Sequence, residues 1–410
     1  MHSTDGRAAL ADRISVYLRR GDLSRLTRGH PWVFASEIDR ASGEPQAGDA
    51  VDVLDPRGAP LGWGFFSPAS RIAVRRLAVR PDARPFQVLA RERIAASRDL
   101  RRRTCSGATC FRVVSSEADF LPGLLVDLYE DRVVFQTLTA GMDRRKDEIL
   151  AAIDDALSPR VIVERNDAAV RSLEGLAPLC GVVRGTEQDA RFEVDLDGVR
   201  LGVDLLTGHK GGLYLDQRVN HRLVAAHARG ARVLDAFSYH GGFALHCAAA
   251  GAASVCAVEI SDSAVRAAQT NVGRNGAAGV VSVVEANAFD FLKSADAAAA
   301  RAATRPYDLV ILDPPSFTRS RSSVGAAARG YKEIHLRACR LLGPGGRLAT
   351  FCCSHHVSRD AFERIVVDAA ADARRTIRRA ESYRQPPDHP VLPAIPETEY
   401  LKGFLFEIVE

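Results

Sequence analysis

The chain of 410 residues has very little lysine. Its 55 basic residues include only Lys146, Lys210, Lys293, Lys332 and Lys402; the rest are arginine. Fifty-one acidic residues nearly balance them, which leaves a formal charge of +4. So mild a balance does not by itself point to a polyanionic partner. The arginine excess fits a GC-rich coding bias, as does the abundant alanine. Arginine is also the better bidentate ligand for phosphate, so the bias does not oppose RNA binding. Long apolar runs are missing too. No window of ~18 apolar residues exists, which excludes a spanning helix. Met1 to Arg20 is polar and charged and lacks the apolar centre of a secretory signal. None of the eight cysteines stands in a C-x-x-C pair, and Cys105 and Cys110 have no second pair at zinc-site spacing. No disulfide framework is expected, and a reducing cytoplasm is. What is present is globular: 46% hydrophobic and 26% charged residues exclude a disordered, collagenous or coiled-coil chain. At ~100–200 residues per domain the length suggests two to three domains.

Residues 13 to 80 read as short strands between turns, with Ala50–Leu54, Gly62–Phe66 and Arg71–Leu77 partly alternating, as in a small barrel. Pro81 to Pro85 reads as a linker. Phe86 to Arg103 has helical character, and residues 84 to 103 hold seven arginines. Such a run is either a solvated helix face or a phosphate-facing surface. Residues 111 to 185 mix strands and helices, with a hairpin around Glu130-Asp131, a helix over Met142–Leu157 and a strand at Val161–Glu164. A second hairpin, Phe192 to Val203, leads into alternating apolar strands and helices. Strands are expected at Val233–Asp235, Ser254–Glu259, Val281–Glu285, Leu309–Leu312 and Arg347–Cys352. Helices are expected at Gly242–Ala250, Ser263–Asn275 and Tyr331–Leu342. This alternation predicts an α/β doubly wound sheet of Rossmann-like type. The domain boundaries expected are 1–80 for the barrel, 81–188 for a central α+β linking region and 189–410 for the Rossmann-like domain.

Val233 to Phe243 is a strand, a glycine turn at Gly241-Gly242 and a helix start. Glycine lets a ligand approach the backbone closely, and a helix N-terminus favours a carboxylate or phosphate. The motif is not G-x-G-x-x-G, which makes a dinucleotide less favoured. Glu259 ends the second strand, where a carboxylate can bind both ribose hydroxyls. Asn287 follows the third strand and is placed for an adenine edge. Together these fit S-adenosylmethionine (SAM). Leu312-Asp313-Pro314-Pro315-Ser316-Phe317 ends the fourth strand at the carboxyl edge, where α/β proteins place ligands. Asp-Pro-Pro-aromatic loops occur in enzymes that methylate exocyclic amines; here the aromatic comes one residue later, which weakens an adenine-N6 reading. The next strand ends in Cys352-Cys353-Ser354-His355-His356. A thiolate beside SAM has a clear use. Added to C6 of cytosine, it makes C5 nucleophilic enough to take a methyl group. Asp313 could then act at cytosine N3, and a base must remove the C5 proton. A cysteine after a strand is more often an inert buried residue. A zinc site of adjacent Cys and His residues has poor tetrahedral geometry, and no metal is expected.

The motifs together resemble the PUA-domain-containing class I SAM-dependent methyltransferases, and within them the bacterial group that methylates cytosine C5 in 23S rRNA. Arg28-Gly29-His30-Pro31-Trp32-Val33-Phe34 and Ser67-Pro68-Ala69-Ser70 match the family's PUA region. Gly208-His209-Lys210-Gly211-Gly212-Leu213-Tyr214-Leu215-Asp216-Gln217-Arg218 resembles its G-H-K-x-G-x-Y-L-D-Q-R signature. Phe237 to Phe243, Asp313 to Phe317, Arg329 to Lys332, Asp388 to Pro390 and Tyr400 to Phe404 match as well. The resemblance covers nearly the whole chain. It implies a PUA barrel, a linking domain and a methyltransferase domain, and it implies Cys353, not Cys352, as nucleophile. The expected catalytic residues are Cys353 and Asp313. The expected cofactor residues are Gln217, Asp235, Phe237, Ser238, Tyr239, Gly241, Gly242, Glu259, Ile260, Ser261, Asn287, Asp313 and Pro314. Two departures stand out: His355-His356 replaces smaller residues, and Asn287 stands where Asp is common. As in this group, the proline motif carries no second cysteine. The proton-abstracting base is therefore open between Asp313 and a water.

The expected function is a SAM-dependent RNA cytosine-C5 methyltransferase acting on 23S rRNA, naked or in an early ribosomal assembly intermediate. Its target base must be unpaired or flipped. The arginines around 71–76 and 91–103 are expected to hold the RNA backbone, and a homodimer is compatible with this reading. A guanine-N2 methylase on the same fold would need no thiol. A non-catalytic rRNA-binding assembly factor would transfer no methyl group, and a small-molecule methylase would leave the PUA-like region idle.

Overall fold

The computed structural model describes residues 13–80, 82, 84–208, 211–318 and 323–410. Met1 to Asp12 of the polar N-terminus, Pro81 and Ala83 of the linker, and His209 and Lys210 of the glycine signature lie outside the described residues. Chain contacts divide the protein into two units. The first holds 1–192, 203–213 and 387–398; the second holds 193–202, 214–386 and 399–410. No described helix is long and apolar enough to cross a membrane.

In the first unit, six short strands form one mixed sheet: β1 (Ile14–Leu18), β2 (Trp32–Phe34), β3 (Ile38–Ala41), β4 (Ala50–Leu54), β5 (Pro60–Phe66) and β6 (Ile72–Ala78), in the order β2-β6-β5-β4-β1-β3. Alternation sends Val16, Leu18, Val33, Val51, Val53 and Val74 into one core. The helix Phe86–Thr104 follows, then β7 (Cys110–Ser115), β8 (Leu124–Tyr129), β9 (Arg132–Thr137), β10 (Val161–Asn166) and β11 (Leu179–Arg184), in the order β11-β10-β9-β8-β7. The helix expected over Met142–Leu157 is broken. A short turn of helix ends at Asp143, and Lys146–Leu157 starts afresh after Arg144-Arg145.

Many of the arginines expected to face RNA have other work. Arg76 is buried and donates to the carbonyl oxygens of Leu61, Leu26 and His30. Arg101 is fully buried and pairs with Asp119. Arg75 pairs with Glu174, Arg91 with Asp155 and Arg98 with Asp99, while Arg93 donates to the Phe120 carbonyl. The arginines of this set that stay exposed are Arg71, Arg91, Arg102 and Arg103. Helical spacing explains the sorting, because Ile94 and Arg101 lie seven residues apart on the inward stripe.

The hairpin β12 (Arg191–Leu196) and β13 (Val199–Asp204) precedes the second unit's sheet. That sheet has seven strands: β14 (Arg232–Ala236), β15 (Ser254–Glu259), β16 (Val281–Glu285), β17 (Tyr307–Leu312), β18 (Leu342–Cys352), β19 (Ile377–Arg384) and β20 (Lys402–Ile408). Their order is β16-β15-β14-β17-β18-β20-β19. The first five are parallel, and β20 runs antiparallel to both β18 and β19. Helices connecting the parallel strands cover the sheet. Leu234, Val310, Leu312, Leu348, Ile334 and Phe404 are sealed in its core. The strand order reverses between β14 and β17, so the carboxyl ends of those strands open the crevice where such sheets bind ligands.

Candidate active site

Three carboxylates stand at the ends of three adjacent strands. Asp235 is the fourth residue of β14, Glu259 ends β15, and Asp313 follows β17 directly. Asp235 is completely buried. Its Oδ2 accepts from the Ala244 N–H at 3.0 Å, and its Oδ1 has no partner among the described residues. Burial, with Asp313 and Glu259 adding negative field, pushes its carboxyl up to about 8.

The loop from Phe237 to Gly241 joins β14 to the helix Gly242–Ala249. Phe237 and Tyr239 hold φ of +68° and +49°, and Gly241 holds +83°. Two non-glycine residues in the left-handed region are costly and need outside support. Glu259 supplies part of it. Its Oε2 accepts from Tyr239 N at 2.9 Å, and its Oε1 accepts from Ile260 N and Ser261 N at 2.8 and 2.9 Å. A carboxylate has about four acceptor positions, so a place remains for a hydroxyl. Ser238 is pinned through its N–H to the Val258 carbonyl, while its buried Oγ has no described partner. Tyr239 stacks on His240 at 3.7 Å and meets Tyr214 edge-on at 4.9 Å. A Cβ on Gly242 would lie 2.6 Å from the His221 ring.

The remaining expected cofactor residues fall around this loop with differing roles. Ile260 is 62% exposed, an apolar surface at the strand end. Asn287 caps the helix Ala288–Ala302, its Oδ1 accepting from Phe289 N at 2.9 Å. That leaves its amide group, a donor, for any adenine contact. Gln217 is buried; its Oε1 accepts from Asn220, and its Nε2 has no described partner. Pro314 is buried, and Asp313 is half-buried.

β18 lies beside β17, with Leu312 paired to Thr350, so the Asp313 and Cys353 segments leave neighbouring strands at the same edge. Successive strand residues point to opposite sides, and the two thiols differ accordingly. Cys352 is fully buried and donates to the Tyr331 hydroxyl at 3.4 Å; burial raises its thiol. Cys353 is half-buried. His355 and His356 are exposed, the former 5.6 Å from the Tyr400 ring. Sequence reasoning assigns no role to two residues here. Tyr331 packs on Phe317 at 4.6 Å as well as on Cys352. Lys402 reaches the carbonyl oxygens of Ser354 and Val357. Both stand in matched motifs, which is the one signal the sequence offers for them.

A profile for the family described as S-adenosylmethionine-dependent methyltransferase matches residues 152–407, and one described as PUA-like domain matches residues 16–78. The chain belongs to the S-adenosylmethionine-dependent methyltransferase family, with a PUA-like domain towards its N-terminus. More particularly, it is similar to proteins named ribosomal RNA large subunit methyltransferase I. That of Shewanella denitrificans is 38% identical over 96% of this chain and 99% of the relative. That of Photobacterium profundum is 37% identical over 95% and 98%. Among solved structures, one described as a SAM-dependent methyltransferase of Streptococcus mutans superposes with a TM-score of 0.80 at 19% identity, covering 96% of this chain and 99% of that one. A methyltransferase complexed with SAH gives 0.81 at 20% identity over the same shares. These two show the fold.

The cofactor is S-adenosylmethionine. The site's residues fit it. Buried Asp235 Oδ1, Ser238 Oγ and Gln217 Nε2 each lack a partner among the described residues, so they can meet an ammonium, a carboxylate and hydroxyls. Three clustered carboxylates suit a ligand with positive centres.

Proposed function

We propose that the protein methylates C5 of a cytosine in large-subunit ribosomal RNA, with Cys353 as nucleophile. The observation that carries the reading is the contrast between the two thiols. Cys352 is sealed against Tyr331, whereas Cys353 is half-exposed beside the loop that begins at Asp313. The relatives' name, ribosomal RNA large subunit methyltransferase I, supports rRNA as substrate. SAM supplies the methyl group. The Cys353 thiolate adds to C6; the 5,6 double bond opens, and its electron pair makes C5 the nucleophile. Asp313 in its acid form gives its proton to N3, which neutralises the charge that develops on the ring and leaves a carboxylate. After C5 is methylated, Asp313 or a water takes the C5 proton. The electrons of that C–H bond restore the double bond, and the sulfur leaves as thiolate.

The remaining cofactor assignments follow the same reading. Glu259 takes the ribose hydroxyls, Asn287 meets adenine, Ile260 and Pro314 flank it, and the Phe237–Gly242 loop with Asp235 and Gln217 holds the amino-acid end. We also propose the three-domain division at about residues 80 and 188, which the two separate sheets of the first unit support. The target would be an unpaired or flipped base, in naked rRNA or an early assembly intermediate.

Cys353→Ala should abolish methyl transfer to undermodified rRNA while SAM binding persists. RNA carrying 5-fluorocytidine should trap the unmutated protein covalently, because fluorine cannot leave as a proton. Full activity of Cys353→Ala would sink the mechanism and favour a guanine-N2 reaction, which needs no thiol.

A further inference from the structure

Lys402 opens β20 and stands directly opposite Cys352 in the antiparallel register with β18. It is one of five lysines in a chain that otherwise uses arginine, and it is only 7% exposed. Its Nζ donates to the Ser354 carbonyl at 2.5 Å and to the Val357 carbonyl at 2.7 Å. No described carboxylate forms an ion pair with it. A buried ammonium without an anionic partner is costly, and it rewards any anion that forms close by. The two carbonyls belong to the turn that begins immediately after Cys353.

We propose that Lys402 is a positioning residue for the nucleophile: it clamps the Ser354–Val357 turn and favours the thiolate of Cys353 over the thiol. The inference rests on Cys353 being the nucleophile. In the activating step the Cys353 S–H bond breaks, the proton passes to solvent and both electrons stay on sulfur. Tyr214, Tyr331 and Lys402 each interact electrostatically with Cys353. Arg359, Glu399 and Cys352 act on Lys402, and Asp313 and Lys402 act on Cys352 with opposite sign. His355 is the next ionisable residue along the turn. Of these, only Lys402 and Arg359 are cations, and only Lys402 bonds to the turn after Cys353.

The test measures alkylation of Cys353 by iodoacetamide on the full chain from pH 6 to 10, followed by mass spectrometry of its peptide. Lys402→Met should shift the midpoint of the profile upward by about one pH unit, so that labelling at pH 7 falls about tenfold. Lys402→Arg should keep most of the reactivity. Exposed Cys180 serves as the control and should not change. If Lys402→Met does not fold, Lys402→Gln keeps a carbonyl-binding donor without the charge and gives the same readout. An unshifted Cys353 profile in the uncharged variant overturns the inference. Because this readout needs no RNA, its failure is distinct from the failure of Cys353→Ala to lose activity, which would overturn the functional reading instead.

Discussion

At the scale of single residues, Asp235 sets function against stability. Its carboxyl is sealed, and burial holds it near 8, well above the usual value for an unfolded chain. A folded value raised in this way leaves stability intact at pH below about 4. Stability is then lost progressively as pH rises towards 8, because the unfolded chain ionises and the folded one does not. Asp235→Asn can still accept from Ala244 N–H, and it removes that penalty. The variant should melt higher than the parent at pH 8 and no differently near pH 4, while binding SAM more weakly. Scanning fluorimetry across pH, with and without SAM, checks both; a pH-independent difference in melting would refute the linkage. Much of the candidate site at this scale is legible in the sequence, because Gly241-Gly242, Glu259, Asp313 and Cys353 sit at strand ends that the apolar runs reveal. The orphaned atoms of Asp235, Ser238 and Gln217 are not, since nothing in a sequence says which lone pairs other groups have already taken.

At the scale of elements, the helix Gly242–Ala249 begins against a packed imidazole. His221 is buried 4.5 Å from the Phe243 ring, and a Cβ at position 242 would meet its ring atoms at 2.6 and 2.8 Å. A methyl group there forces the buried ring or the helix start to shift. Gly242→Ala should cost about 1–3 kcal/mol and weaken SAM binding together with it. Chemical denaturation and titration with SAM test this; a variant of unchanged stability would show that the His221 ring can yield. The parallel strands are readable because each is a short apolar run closed by a turn or a charge. The helix Val324–Leu341 begins seven residues before the Tyr331 start read from the pattern, because Gly325, Arg329 and Gly330 blur its apolar stripe. β20 is not readable as a strand although it carries a matched motif. It is buried on both faces between two strands, so its apolar residues run on without a period to recognise.

At the scale of the whole molecule, the net charge says little, and the sorting of the arginines says more. Arg76 and Arg101 hold backbone and carboxylate partners in the interior, whereas Arg102 and Arg103 are exposed. Arg102→Glu with Arg103→Glu should weaken rRNA binding and flatten its salt dependence by about 0.7–0.9 in log–log slope for each phosphate no longer neutralised, with melting unchanged. Arg76→Met should instead lower the melting temperature. Binding isotherms at several salt concentrations distinguish the two classes, and a salt slope untouched by the double charge reversal would remove this helix from the RNA surface. One further consequence concerns time. β20 follows β19 in the chain yet lies between β19 and β18 in the sheet. Until it is synthesised, β18 has a bare edge, β19 has no strand to pair with, and Lys402 is absent from beneath the cysteine turn. A ribosome making this protein therefore releases the Cys353 turn before the strand that carries Lys402, and that turn gains its lysine contacts only once β20 is in place.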